Sequence, residues 1–322
     1  MNNLSLSVFM PVIISFLISV VFCPILIPFL RKLKFGQTER EEGPQSHLKK
    51  NGTPTMGGLV ILASILLTSL IYIGKFTEIL PVLFMTLGFG LIGFLDDYIK
   101  VILKRNLGLT ASQKFGLQFL VALAYVSWAV FGKNIDTVVR IPFTEASWNL
   151  GWFFIPFAVI VILATVNSVN LTDGLDGLAT SVTLAVAVFF LLVSTVGRLF
   201  NPAVALFSSA MIGGLFGFLL YNKYPAKVFM GDTGSLALGG AVCGMAILLE
   251  EPLALLIVGF VYVMESLSVI MQVTSYQLTG KRIFKMSPIH HHFEMCGMSE
   301  RKIVAMFTAV TVVLCALMYF FG

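Results

Sequence analysis

The sequence predicts an all-α polytopic integral membrane protein of about ten transmembrane helices, and three observations carry the prediction. Of its 322 residues, 57% are apolar and 11% charged, whereas a soluble domain is roughly a quarter charged; the mean hydropathy is +0.94. Apolar runs of spanning length, about 17–25 residues, fall at about 7–30, 56–73, 79–95, 113–131, 151–169, 177–196, 202–221, 235–249, 252–275 and 302–321. The connecting loops alternate in charge. With both termini extracytoplasmic, 17 of the 21 Lys and Arg lie in or beside cytoplasmic loops, leaving Lys75, Lys133, Arg140 and Arg198 outside. This is the positive-inside asymmetry, and an odd number of spans would break it.

The first run is too long for a signal-peptide core and has no small-residue cleavage site, so it reads as a retained span. Run 235–249 is the weakest: it is short, Gly-rich and closed by Glu250-Glu251-Pro252. Without it, the topology of everything downstream inverts. No linker or internal repeat divides the chain, so 1–322 reads as a single transmembrane domain. The net charge of +5 is topological and implies no nucleic acid. Cys23, Cys243, Cys296 and Cys315 have no metal or redox spacing, and no disulfide is expected.

The topology gathers the chemistry on the cytoplasmic side: Asp96, Asp97, Asp173, Asp176, Asp232 and His47, His290, His291 and His292. In Asn167–Ala179, Asn170, Asp173 and Asp176 recur every third residue with no Lys or Arg among them. Uncompensated carboxylates at a membrane edge are costly, and call for a cation, a proton or a ligand. In loop 31–55, Thr53 and Pro54 suit a helix cap and first helical position. Gly57 and Gly58 suit close approach of a helix or ligand, and Lys49 and Lys50 can bind lipid headgroups or a phosphate. Asp96 and Asp97 close an apolar helix at the end that disfavours anions, which requires compensation from Lys100, Lys104 or a metal. Gly231-Asp232-Thr233-Gly234-Ser235, placed just before a helix, offers free N–H groups to an anion. Phe229 beside it can pack on the membrane edge or stack on a base. His290-His291-His292 has the wrong spacing for one metal ion and suits hydrogen bonds to phosphate or sugar. Carboxylates, lysines and a polar His loop at a bilayer face suit magnesium-assisted transfer of a phosphorylated group to a hydrophobic acceptor.

Thr53-Pro54-Thr55-Met56-Gly57-Gly58, Asp96-Asp97-Tyr98, Asn167–Ala179, Phe229–Ser235 and His290-His291-His292-Phe293-Glu294 together resemble the polyprenyl-phosphate N-acetylhexosamine-1-phosphate transferases. The first and last of these motifs favour the muramoyl-pentapeptide branch. The resemblance covers nearly the whole chain, with its motifs in order. It implies a bacterial plasma-membrane enzyme with ten helices and a cytoplasmic active-site cleft. Its substrates would be UDP-N-acetylmuramoyl-pentapeptide and undecaprenyl phosphate, and its products lipid I and UMP. It further implies Mg2+, membrane lipid around the protein, a homodimer, and inhibition by uridine nucleosides. Carried over residue by residue, Asp232 binds the metal, and Asp96 and Asp97 activate or orient the lipid phosphate. Asp96, Asp97, Asp232 and His290 form the catalytic set. Asn170 and Asp173 contact the nucleotide, with Asp176 nearby and Phe229 at the uracil. Lys50, Lys114, His290 and His291 support phosphate or sugar, and Thr55, Lys100, Asn222 and His292 complete the binding set. One displacement and a covalent phospho-aspartate remain alternatives. Competing readings are a GlcNAc-1-phosphate transferase, an ion-coupled transporter and a lipid-binding scaffold without turnover; for the transporter, only Glu265 lies deep in an apolar run.

Overall fold

The computed structural model describes residues 2–32, 50, 52–101, 108–132, 135–196 and 199–322. Helices α1 (Asn2–Lys32), α2 (Gly58–Tyr72), α3 (Ile79–Val101), α4 (Ala111–Ser127), α5 (Phe154–Thr172), α6 (Leu178–Thr195) and α7 (Pro202–Asn222) come first. They are followed by α8 (Gly231–Leu248), α9 (Leu255–Val258), α10 (Phe260–Thr279), α11 (Ile289–Met295) and α12 (Glu300–Phe321). Each of the ten apolar runs contains a helix. Among the described residues, eight helices are long and apolar enough to cross a bilayer; α2 is shorter. The expected straight span 252–275 is instead broken at Gly259, where the helical segments Pro252–Val258 and Phe260–Thr279 meet at 82°. A sharp bend of this kind needs a local cause, and here a Cβ at position 259 would press on the Leu255 carbonyl.

Helix α8 is the axis of the fold. All its residues except Asp232 and Leu248 are buried, and α2, α3 and α5 pack around it. Glycine permits the contact: a Cβ on Gly58 would meet the Gly234 backbone, and one on Gly93 the Asp232 carbonyl. Without a hydrophobic drive between helices in lipid, such backbone approach supplies the packing. Outside this core, α1 packs on α7, and α6 on both α7 and α12. The outer loop expected at 132–150 contains a small antiparallel hairpin, Val138–Arg140 against Ser147–Asn149, with Val139 opposite Trp148.

Three boundaries differ from expectation. Thr53-Pro54 does not start α2: the helix begins at Gly58, and the segment before it pairs with the loop ahead of α8. Phe229 N donates to Pro54 O, Gly57 N to Phe229 O and Gly58 N to Met230 O. Helix α3 runs on to Val101, so Asp96 and Asp97 are helical rather than in a loop. Helix α8 starts at Gly231 rather than after Ser235, which places Asp232 in its first turn.

Candidate active site

Local structure places the lysines. Thr110 and Gln113 form a reciprocal capping box at the start of α4, which fixes its first turn and sets Lys114 beside α3. Lys114 Nζ lies 3.0 Å from Asp232 and 3.4 Å from Asp96. Lys100 Nζ lies 2.7 Å from Asp96 and 2.8 Å from Asp232. Two carboxylates from separate helices thus share two ammonium groups. Asp96 also accepts the Leu109 N–H at 2.7 Å, and Asn170 donates to Asp232 at 2.7 Å and to Ser235 at 2.8 Å.

Asp97 does something else. Its oxygens accept from Asp232 N at 3.2 Å, Thr233 N at 2.9 Å and Thr233 Oγ1 at 2.7 Å. The anion site expected in the Gly231–Ser235 turn is therefore filled from within the protein. The positive end of α8 offsets the carboxylate that the end of α3 disfavours, and Lys100 pairs with Asp96 rather than with Asp97.

On the other side of the site, Lys50 Nζ lies 2.7 Å from both Asp176 and Glu300. Glu300 also accepts the Asp176 N–H at 2.6 Å, and Asp176 accepts the Ala226 N–H at 2.8 Å. Burial opposes charge on Lys50, but the two carboxylates more than offset it and raise its pKa. Buried Asn222 accepts from Thr180 and donates to the Val228 carbonyl, holding the loop that carries Phe229. Thr55 is buried beside Gly231, its hydroxyl without a hydrogen-bond partner among the described residues.

These residues surround a cavity of about 130 Å³, lined by Lys50, Asn170, Asp173, Asp176, Phe229 and Asp232 among others. The histidines stand further off. His291 pairs with Glu294 at 2.8 Å, and the Lys285 N–H donates to His292 at 3.1 Å. His290 is fully buried and does not line the cavity; its ring lies behind Gly174. The structure thus brings together Asp96, Asp97, Lys100, Lys114, Asn170 and Asp232, and the last two also line the cavity with Lys50, Asp173, Asp176, Asn222 and Phe229. His47, Lys49 and Lys104 lie outside the described residues. Sequence reasoning missed Glu300, whose only signal was an acidic residue in the first turn of the last span.

Asp173 carries the electrostatic imbalance of the site. Burial first, then the charges of Asp232, Asp97 and Asp176, push its pKa well above the ordinary value. A carboxylate raised on folding costs the fold nothing below its unfolded pKa, about 3.9; the cost accrues as pH rises from there through the folded value. Asp173→Asn should therefore raise the melting temperature of the ligand-free protein at pH 7.5, with the gain shrinking toward pH 4. A lower melting temperature at pH 7.5 in detergent would refute this account.

Comparison with known proteins identifies the family. A family model described as glycosyl transferase family 4 matches residues 79–250, and a phospho-N-acetylmuramoyl-pentapeptide-transferase signature matches 50–62. Three proteins, each named phospho-N-acetylmuramoyl-pentapeptide-transferase, align over nearly their full lengths. That of Acetivibrio thermocellus is 52% identical over 99% of this chain and 96% of its own. That of Clostridium botulinum is 54% identical over 94% and 93%; that of Bacillus subtilis is 52% identical over 95% of each. About half identical to these relatives over nearly its full length, the chain belongs to the phospho-N-acetylmuramoyl-pentapeptide transferase family.

Proposed function

We propose that this transferase moves phospho-N-acetylmuramoyl-pentapeptide from its UDP derivative to undecaprenyl phosphate, releasing UMP and forming lipid I. The observation that carries the reading is the cavity, lined by an aromatic side chain, Phe229, by the carboxylates of Asp173, Asp176 and Asp232, and by Lys50. An oxygen of the lipid phosphate forms a bond to the sugar-bearing phosphorus, and the bond from that phosphorus to the bridging oxygen of UMP breaks. Such transfer depends mainly on positioning and charge stabilisation. Phe229 offers the uracil a stacking face, and Asn170 and Asp173 offer polar contacts to the nucleotide. Lys114 and Lys100 are placed to take up phosphate charge beside Asp96, which receives or orients the acceptor proton.

The residues fit a magnesium ion. Asp173, Asp176 and Asp232 line the cavity, and Lys50 is its one lining cation among the described residues. A diphosphate entering there must bring positive charge with it. Magnesium takes one or two carboxylates and completes its shell with water and phosphate oxygens, so Asp232 is the ligand we assign. When bound, the ion would neutralise the diphosphate and the leaving UMP.

The test is transfer of radiolabelled sugar phosphate from each UDP sugar into an organic-extractable lipid. Labelled lipid from UDP-N-acetylglucosamine, and none from the muramoyl-pentapeptide nucleotide, would overturn the reading. We also place the site on the cytoplasmic side, because the basic residues gather there. Cysteines introduced at Asn3 and Gly322 should then react with an impermeant reagent in intact cells. Labelling only after permeabilisation would invert the topology.

A further inference from the structure

Glu265 sits within α10, beyond its first turn, and is fully buried. Its Oε2 lies 3.0 Å from Nδ1 of His290, which is also fully buried. The Nε2 edge of that ring rests against Gly174, where a Cβ would overlap Nε2 and Cε1. Gly174 lies between Asp173 and Asp176, on the turn that lines the cavity. Glu265 Oε1 and His290 Nε2 have no hydrogen-bond partner among the described residues. A buried Glu–His pair with open valences is poorly explained by stability, since apolar residues of similar volume often hold a fold as well.

The rest of α10 shows the same use. Tyr262 meets Thr183 on α6 at 2.7 Å, and Ser266 meets Ser168 on α5 at 2.6 Å. Gln272 accepts from Ile283 N and Phe284 N and donates to Phe284 O. Polar residues along this helix therefore fix the two spans that flank the Asp173–Asp176 turn and the loop that leads to His290. Glu265 is the member that reaches the turn through a single ring.

We infer that Glu265 is a positioning residue for the nucleotide site: it holds His290 with Nδ1–H toward the carboxylate, so that the ring forms the support beneath the Asp173–Asp176 turn. The inference rests on the nucleotide reading of the cavity. The carboxylate accepts from Nδ1–H, which selects the tautomer as it does for other carboxylate-oriented imidazoles. Displacing the ring frees Gly174 and with it the Asp173 side chain. Misplacement of about 1 Å behind a reacting centre can cost on the order of 10²-fold.

The test uses the full chain in detergent with Glu265→Gln, His290→Gln and the double variant. Each is assayed for KM toward the UDP sugar, KM toward the lipid phosphate and kcat, with calorimetry of a uridine nucleotide. Glu265→Gln should raise the nucleotide KM and weaken uridine binding by tenfold or more while leaving the lipid KM within about twofold. The double variant should be no worse than His290→Gln, because residues acting as one unit do not add. The chain has four histidines, so 15N spectra of labelled protein, with His290→Gln for assignment, read the tautomer directly in the wild type. Normal nucleotide affinity in Glu265→Gln, losses that multiply in the double variant, or a wild-type His290 unprotonated at Nδ1 would each overturn the inference. Absence of uridine binding by the wild type would instead overturn the nucleotide reading itself.

Discussion

Asp232→Asn is expected to remove all but a small remnant of transfer activity and still yield a protein that elutes normally in detergent. Asp232 accepts from Lys100, Lys114 and Asn170. The amide keeps one oxygen for the lysines, which retain Asp96 as a partner, and a flip of the Asn170 amide removes the donor–donor clash. The fold therefore survives. What is lost is a negative charge at the wall where the metal-bound diphosphate is proposed to sit. Removing one group that stabilises transition-state charge typically costs about 10²–10³-fold, and here metal affinity falls with it. Turnover measured across a magnesium titration checks the assignment; near wild-type rates at limiting magnesium would sink it.

The second large effect separates two neighbours. Asp96→Asn should lower kcat by about 10²–10⁴-fold, the usual contribution of a positioned proton acceptor, and leave uridine-inhibitor affinity nearly unchanged. Asp97→Asn should lower turnover, inhibitor affinity and melting temperature together. Its oxygens accept two backbone N–H groups and a hydroxyl at the start of α8, and an Asn side chain turns an NH2 group toward one of those donors. Buried donors left unmatched cost about 1–3 kcal/mol each. Calorimetric titration with and without magnesium, alongside thermal unfolding, resolves the two outcomes. Normal turnover in both variants would discard the division of labour. So would an Asp97→Asn protein of wild-type stability and inhibitor affinity that has lost only kcat.

What could be read from the sequence follows the range of the interactions. Spans were legible because apolar length is local, and α8 was found despite its glycines. The motif residues were legible as chemistry: Asp96, Lys114, Asn170 and Asp232 do converge. Their partners were not. Asp97 looked like an anion at the wrong end of its own helix because the helix that compensates it begins 134 positions later, at Gly231. Lys50 looked free for a phosphate because Asp176 and Glu300 are 126 and 250 residues away in sequence. Glu265 read as a stray charge in an apolar run until its imidazole partner was placed. The bend at Gly259 was hidden because hydropathy does not register a change of direction.

The buried position of α8 bears on how the protein is made. It is the least apolar of the eight spans, with a mean hydropathy of 1.3, and 89% of its most apolar stretch is enclosed by other helices. Partitioning of a nascent segment from the translocon into lipid rewards apolar surface, and this segment offers little. The helices that enclose it, α2, α3 and α5, all precede it in the chain. They can stand in the bilayer as a socket before it emerges, and the glycines of α2 and α3 leave room for its backbone. Biogenesis then has a built-in order, in which the segment carrying Asp232 is received by protein rather than by lipid.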